Sequence, residues 1–153
     1  MNPIYIGAAA VAVLITCWWI WSRRKPSYES REYLLTQAEH RFFQVLLQAV
    51  PEGLHICPQV RMADLIDCYR DSRRSSFAAI AHKHIDFVLM EVETAEIVLA
   101  IEVDDATHQR PDRMERDRFI EDALNTAGVP LLRVPVAAHY DVRRIRSEIE
   151  SCL

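Results

Sequence analysis

The hydrophobic pattern divides the chain near residue 25. Residues 3–21 read PIYIGAAAVAVLITCWWIW, with no charged side chain. About 19 residues rising about 1.5 Å each reach roughly 28 Å, close to the thickness of a bilayer's hydrocarbon core. Tyr5 lies near one end of the run and Trp18, Trp19 and Trp21 at the other, where interfacial aromatic residues sit. Arg23, Arg24 and Lys25 follow at once. The positive-inside rule then places the remaining chain in the cytoplasm, and an apolar run ahead of the positive charge reverses the order of a cleaved signal peptide. The expectation is a single-pass transmembrane anchor over 1–25 in the inner (cytoplasmic) membrane, a polar tether over 26–33 and one folded domain over 34–153.

Beyond the tether the pattern changes to short periodic runs. Thr36 with Glu39 three residues on is a capping-box signature, and Phe42, Phe43, Leu46, Leu47 and Val50 follow at helical spacing before Pro51. Residues 55–62 alternate as a strand, 64–69 suit a short helical turn, and 70–76 read as a polar loop. Residues 85–91 and 97–103 are apolar and rich in β-branched side chains, and Glu93-Thr94-Ala95-Glu96 between them reads as a hairpin turn. Pro111 suits a first helical position. The stripe Ile120, Ala123, Leu124 and Ala127 ends at Gly128. Residues 129–136 return as an apolar strand, and a last helix starts near Asp141. This order predicts an α/β domain with one mixed sheet covered by helices.

Composition narrows the function classes. The 153 residues carry a net charge of −4, so the protein does not coat nucleic acid through bulk positive charge, and any phosphate contact must be local. Of the 18 basic residues only Lys25 and Lys83 are lysine, a bias that suits directional contacts to phosphate or carboxylate. Cys17, Cys57, Cys68 and Cys152 form no CxxC pair, so neither a disulfide framework nor a zinc ribbon is legible. The pairs His55/Cys57 and His82/His84 would each share a strand face, but their spacing with Cys68 is looser than zinc sites use.

The candidate chemistry is acidic. Asp86 opens an otherwise apolar strand, and Glu102 and Asp104 share one face near the end of the next. If these strands pair, three carboxylates converge, and like charges in a low dielectric need a counter-ion. Oxygen ligands on rigid strands suit Mg²⁺ or Mn²⁺, which polarise a phosphodiester and lower the pKa of an attacking water. The spacing alone fits equally well with acids that cap strand ends and pair with nearby arginines.

These residues resemble a known pattern. An Asp on one strand, a hairpin and a Glu on the next, preceded by a helix bearing Glu39, is similar to the PD-(D/E)XK, or restriction-endonuclease-like, nuclease superfamily. More closely, AEHRFF at 38–43, HIDFVL at 84–89, IEVDDATH at 101–108, Arg116-Asp117-Arg118 and AGVPLLRV at 127–134 resemble the bacterial family catalogued as domain of unknown function 2726. That resemblance runs over 34–136. It implies a restriction-endonuclease-like fold, Asp86 and Glu102 as metal-binding acids for Mg or Mn, and Glu39 as a further acid from the first helix. It also exposes a departure: the catalytic lysine expected two residues after Glu102 is Asp104 here. In mismatch-repair endonucleases and related domains, which the stretch also resembles, an Asp-containing variant is followed by a histidine near the position of His108. That implies His108 as general acid or base, with Lys83 as an alternative cation folding back over the metal.

Arg110, Arg113, Arg116 and Arg118 crowd the following loop and helix, and Arg113 and Arg116 are the better candidates for phosphate contact. The combined expectation is a membrane-anchored, metal-dependent nuclease acting on nucleic acid, DNA in preference to RNA, with Glu39, Asp86, Glu102, Asp104 and His108 at its catalytic site. The alternative is a catalytically inactive nuclease-like module that binds nucleic acid or a protein partner at the membrane. The sequence leaves the oligomeric state open.

Overall fold

A computed structural model describes residues 3–22, 28–67, 73–104 and 111–153, with side chains at 5, 7, 11–19, 21–22, 28–67, 77–104 and 118–153. The chain forms two compact units, Met1–Glu32 and Tyr33–Leu153. Among the described residues the first holds one helix, α1 (Pro3–Ser22). Among the described residues no helix is long and apolar enough to cross a membrane. The transmembrane anchor expected over 1–25 is therefore corrected.

The second unit begins with α2 (Gln37–Ala49), where the sequence signature becomes geometry. The backbone N–H of Glu39 donates to Thr36 Oγ1 at 3.3 Å, and the Thr36 N–H donates to Glu39 Oε2 at 3.0 Å. Two otherwise unsatisfied donors of the first turn are thereby paired. Thr36→Ala is expected to lower stability by about 1 kcal/mol, read as an earlier urea midpoint at unchanged m-value.

Four strands make one sheet in the order β1-β2-β3-β4: β1 (Leu54–Arg61), β2 (His84–Glu91), β3 (Ile97–Asp104) and β4 (Leu131–Pro135). β1 and β2 pair antiparallel, as do β2 and β3, whereas β3 and β4 run parallel. The parallel pair needs a crossover, and α5 (Pro111–Ala127) lies in it. α5 ends where Gly128 takes φ +75°, and the Val129 N–H reaches back to the Leu124 carbonyl at 3.0 Å. The expected mixed α/β sheet flanked by helices is the one observed.

Helices cover both faces. Phe42, Leu46 and Ala49 of α2, with Ile145 and Ile149 of α6 (Val142–Glu150), bury against Phe87, Leu89, Leu99, Ile101 and Val134. On the other face Ile120 and Leu124 of α5 bury with Val88 and Ala100, joined by Met62 of α3 (Met62–Leu65) and Ile80 of α4 (Arg73–Ala81). Two local expectations change. The short helical turn lies earlier than 64–69, and part of the polar loop expected over 70–76 belongs to α4. Arg61 at the end of β1 holds Asp64 at 2.6 Å, and this hydrogen bond keeps the exposed Asp64 carboxyl below its usual pKa.

Candidate active site

The sheet opens at one end, and the two central acids stand at the opening. β2 and β3 pair in register as far as Phe87 and Ile101. One residue further along each strand lie Asp86 and Glu102. There the ladder gives way to a side chain: the Val103 N–H donates to Asp86 Oδ2 at 2.9 Å. A carboxylate thus takes the place of a backbone carbonyl and is fixed by it.

The same position is irregular on the β1 side. The pairs Pro58–Phe87 and Val60–Ile85 bracket Gln59, which stands opposite Asp86 with φ +53°, a left-handed backbone that non-glycine residues seldom adopt. Ile85 and Val88 bury on the α5 side while Phe87 and Leu89 bury on the α2 side, so strand alternation breaks at Asp86. Gln59 Nε2 donates to Glu39 Oε2 at 3.2 Å. The cap of α2 is therefore tied to the strand residue that faces Asp86.

On β3, Glu102 and Asp104 share the face of Ala100, and Glu102 Oε1 is buried. Asp104 is held from the neighbouring strand: Arg133 Nη1 donates to both of its carboxylate oxygens, at 2.9 and 2.8 Å. In the parallel register Arg133 is the partner of Glu102 itself. The Arg133 and Asp104 side chains keep 25% and 38% of their surface exposed, so the pair is partly solvated. A double-mutant cycle with Arg133→Gln and Asp104→Asn is expected to give a stability coupling of about 1 kcal/mol or less, measured by thermal melts.

Among the described residues no group of three or more His, Cys, Asp or Glu side chains is placed to hold a metal. The expected convergence of three or four acids is corrected accordingly. Glu39 serves the α2 cap and Gln59, and Asp104 serves Arg133, which leaves Asp86 and Glu102 at the opening. Two carboxylates, one anchored and one with a buried oxygen, still suit Mg²⁺ or Mn²⁺, which take one or two carboxylates and keep several waters. His55, Cys57, His82 and His84 form no such group either, and Cys68 lies outside the described residues.

His108 and Arg110 lie outside the described residues, as do the side chains of Arg113 and Arg116, although the backbone places those last two in α5. Lys83 Nζ lies 5.5 Å from the centre of the Phe119 ring, a cation–π contact. Gln59 and Arg133 are site neighbours that the sequence reading did not single out. Each left a trace, since Arg133 is the one charge in VPLLRVPV and Gln59 the one uncharged amide in HICPQVR.

The family described as "Protein of unknown function (DUF2726)" matches residues 31–152. The chain belongs to that family. The match takes in the helix of Glu39, the opened strands of Asp86 and Glu102, and Arg133 on β4. No curated protein and no solved structure matches the chain.

Proposed function

We propose that this DUF2726 domain is a nuclease of PD-(D/E)XK type that hydrolyses phosphodiester bonds of nucleic acid with a divalent cation. The single observation that carries the reading is the opened end of the sheet, where Asp86 and Glu102 follow the last β2–β3 pair and Asp86 accepts the Val103 N–H. Asp86 and Glu102 are the residues that would hold Mg²⁺ or Mn²⁺. Such an ion, when bound, supplies Lewis acidity toward a phosphodiester oxygen and acidifies a water. The chain's own part is positional. The Val103 N–H fixes one Asp86 oxygen, and Gln59 ties the same strand position to the capped helix. Arg133, partnered with Glu102 in register, brings from β4 a fixed positive charge to the region where the superfamily pattern has its lysine. His108 is the candidate to give or take a proton.

A second reading has an observation of its own. Asp104 occupies the lysine position and is already compensated by Arg133, which favours an inactive module that retains nucleic-acid binding. Incubation of the full chain with single- and double-stranded DNA and with RNA, with Mg²⁺, Mn²⁺ or chelator, separates the two. Metal-dependent cleavage supports the nuclease. Intact substrates with both metals overturn it.

A further inference from the structure

Two clefts meet at His40. The larger, about 900 Å³, is walled by Tyr33, Leu34, Leu35, Phe43 and Pro58. The smaller, about 390 Å³, lies between α2 and the loop after β4, and its polar lining is His40, Arg41, Gln44 and His139. Among the described residues neither is lined by an acidic side chain, although the chain carries a net charge of −4. A groove that is aromatic at one end, carries Arg41 among hydrogen-bonding imidazole and amide groups at the other, and has no carboxylate in its described lining fits a ligand with flat apolar faces and anionic links between them. That is the chemistry of a polynucleotide strand.

The aromatic end is built as a platform. Phe43 stacks on Phe87 with ring centres 5.8 Å apart and planes 7° from parallel, which fixes its ring from behind. Tyr33 is 72% exposed, leaving its ring free to take a base. At the boundary His40 Nε2 and Gln44 Nε2 lie 3.3 Å apart across one helical turn. The larger cleft is tied to the opened end of the sheet through Pro58, which lines it and precedes Gln59, the residue that faces Asp86. A duplex keeps its base faces stacked inside and cannot lay them on Tyr33, whereas a single strand can.

We propose that this composite groove binds single-stranded nucleic acid, with bases against Tyr33 and Phe43 and backbone phosphates at Arg41 and His139. The proposal rests on the reading above only in taking nucleic acid as the substrate class, and adds its strand state and its path. The test is fluorescence anisotropy with the full chain in chelator, using a labelled mixed-sequence DNA 12-mer, the same sequence as a duplex, and inorganic phosphate as competitor. The single strand should bind about tenfold more tightly than the duplex. Tyr33→Ala should weaken strand binding by about tenfold or more, while Tyr33→Phe retains it, because the ring and not the hydroxyl supplies the stacking. Arg41→Gln should reduce the slope of log K against log salt by about 0.7, the value for one lost phosphate contact on a single strand. Arg143→Gln, an exposed change on α6, should leave that slope unchanged. Wild-type binding by both Tyr33→Ala and Arg41→Gln, tighter binding of duplex than strand, or full displacement by millimolar phosphate would each overturn the proposal. Because no metal is present, the assay is independent of cleavage. Tyr33-dependent binding without any cleavage sinks the nuclease reading alone, and cleavage with Tyr33-independent binding sinks this one alone.

Discussion

Asp86→Asn and Glu102→Gln should each reduce metal-dependent cleavage by about 10³-fold or more. The size follows from what the two acids are asked to do. Lewis-acid stabilisation of a transferring phosphoryl group is worth several kcal/mol, and about 4 kcal/mol of lost transition-state stabilisation is about 10³ in rate. Neither change removes volume, and Asn retains an oxygen that can accept the Val103 N–H now taken by Asp86 Oδ2. Loss of activity with retained folding would therefore report the ligand role. Asp104→Asn is the internal comparison: its carboxylate is held by Arg133, so a structural role predicts a far smaller loss. His108→Ala should cost about 10²–10⁴-fold, the range of a general acid–base group. Cleavage that survives Asp86→Asn would show the site to be misassigned. Single-turnover assays on all four variants, with folding followed by circular dichroism, decide the matter.

What the sequence made legible was whatever rests on local chemistry. The capping box at Thr36 and Glu39, the stop at Gly128 and the apolar, β-branched runs of β2 and β3 depend on neighbours within a few residues, and each appears where the pattern put it. The α4 helix was missed because RRSSFAAIA shows no apolar stripe. Its Ser75 and Ser76 favour turns, Phe77 stays 53% exposed, and only Ile80 is buried among its described side chains. The site was half legible. Asp86 and Glu102 announced themselves as acids in apolar strands, and pairing arithmetic then sets them at the same opening. The partners of Glu39 and Asp104 were not legible for one physical reason: a carboxylate takes the nearest strong donor. Those donors, Gln59 and Arg133, stand 20 and 29 residues away in sequence. No periodicity reveals a partner on another strand. The irregular backbone at Gln59 was equally hidden, since nothing in HICPQVR marks a left-handed residue within a strand.

Thermal melts should separate a metal site from an ion-pair network without any substrate. Asp86 and Glu102 lie opposite each other one step past the last β2–β3 pair, so without metal their like charges oppose each other. Asp86→Asn removes one of them and keeps the acceptor for Val103. The variant in chelator should melt above wild type in chelator. Mn²⁺ that binds only the folded wild type stabilises it by about 2.7 kcal/mol at a hundredfold excess over Kd, a rise on the order of 10 °C for a domain of this size. The variant, with one ligand gone, should gain little. Asp104→Asn should respond to Mn²⁺ as wild type does, because its carboxylate lies on Arg133 and outside the ligand pair. An ion-pair network predicts the reverse order. Asp86→Asn would then break a favourable contact, melt below wild type in chelator, and leave both proteins indifferent to Mn²⁺. A destabilised Asp86→Asn beside a metal-insensitive wild type would remove Asp86 and Glu102 from the role of metal ligands, whatever the cleavage assays find.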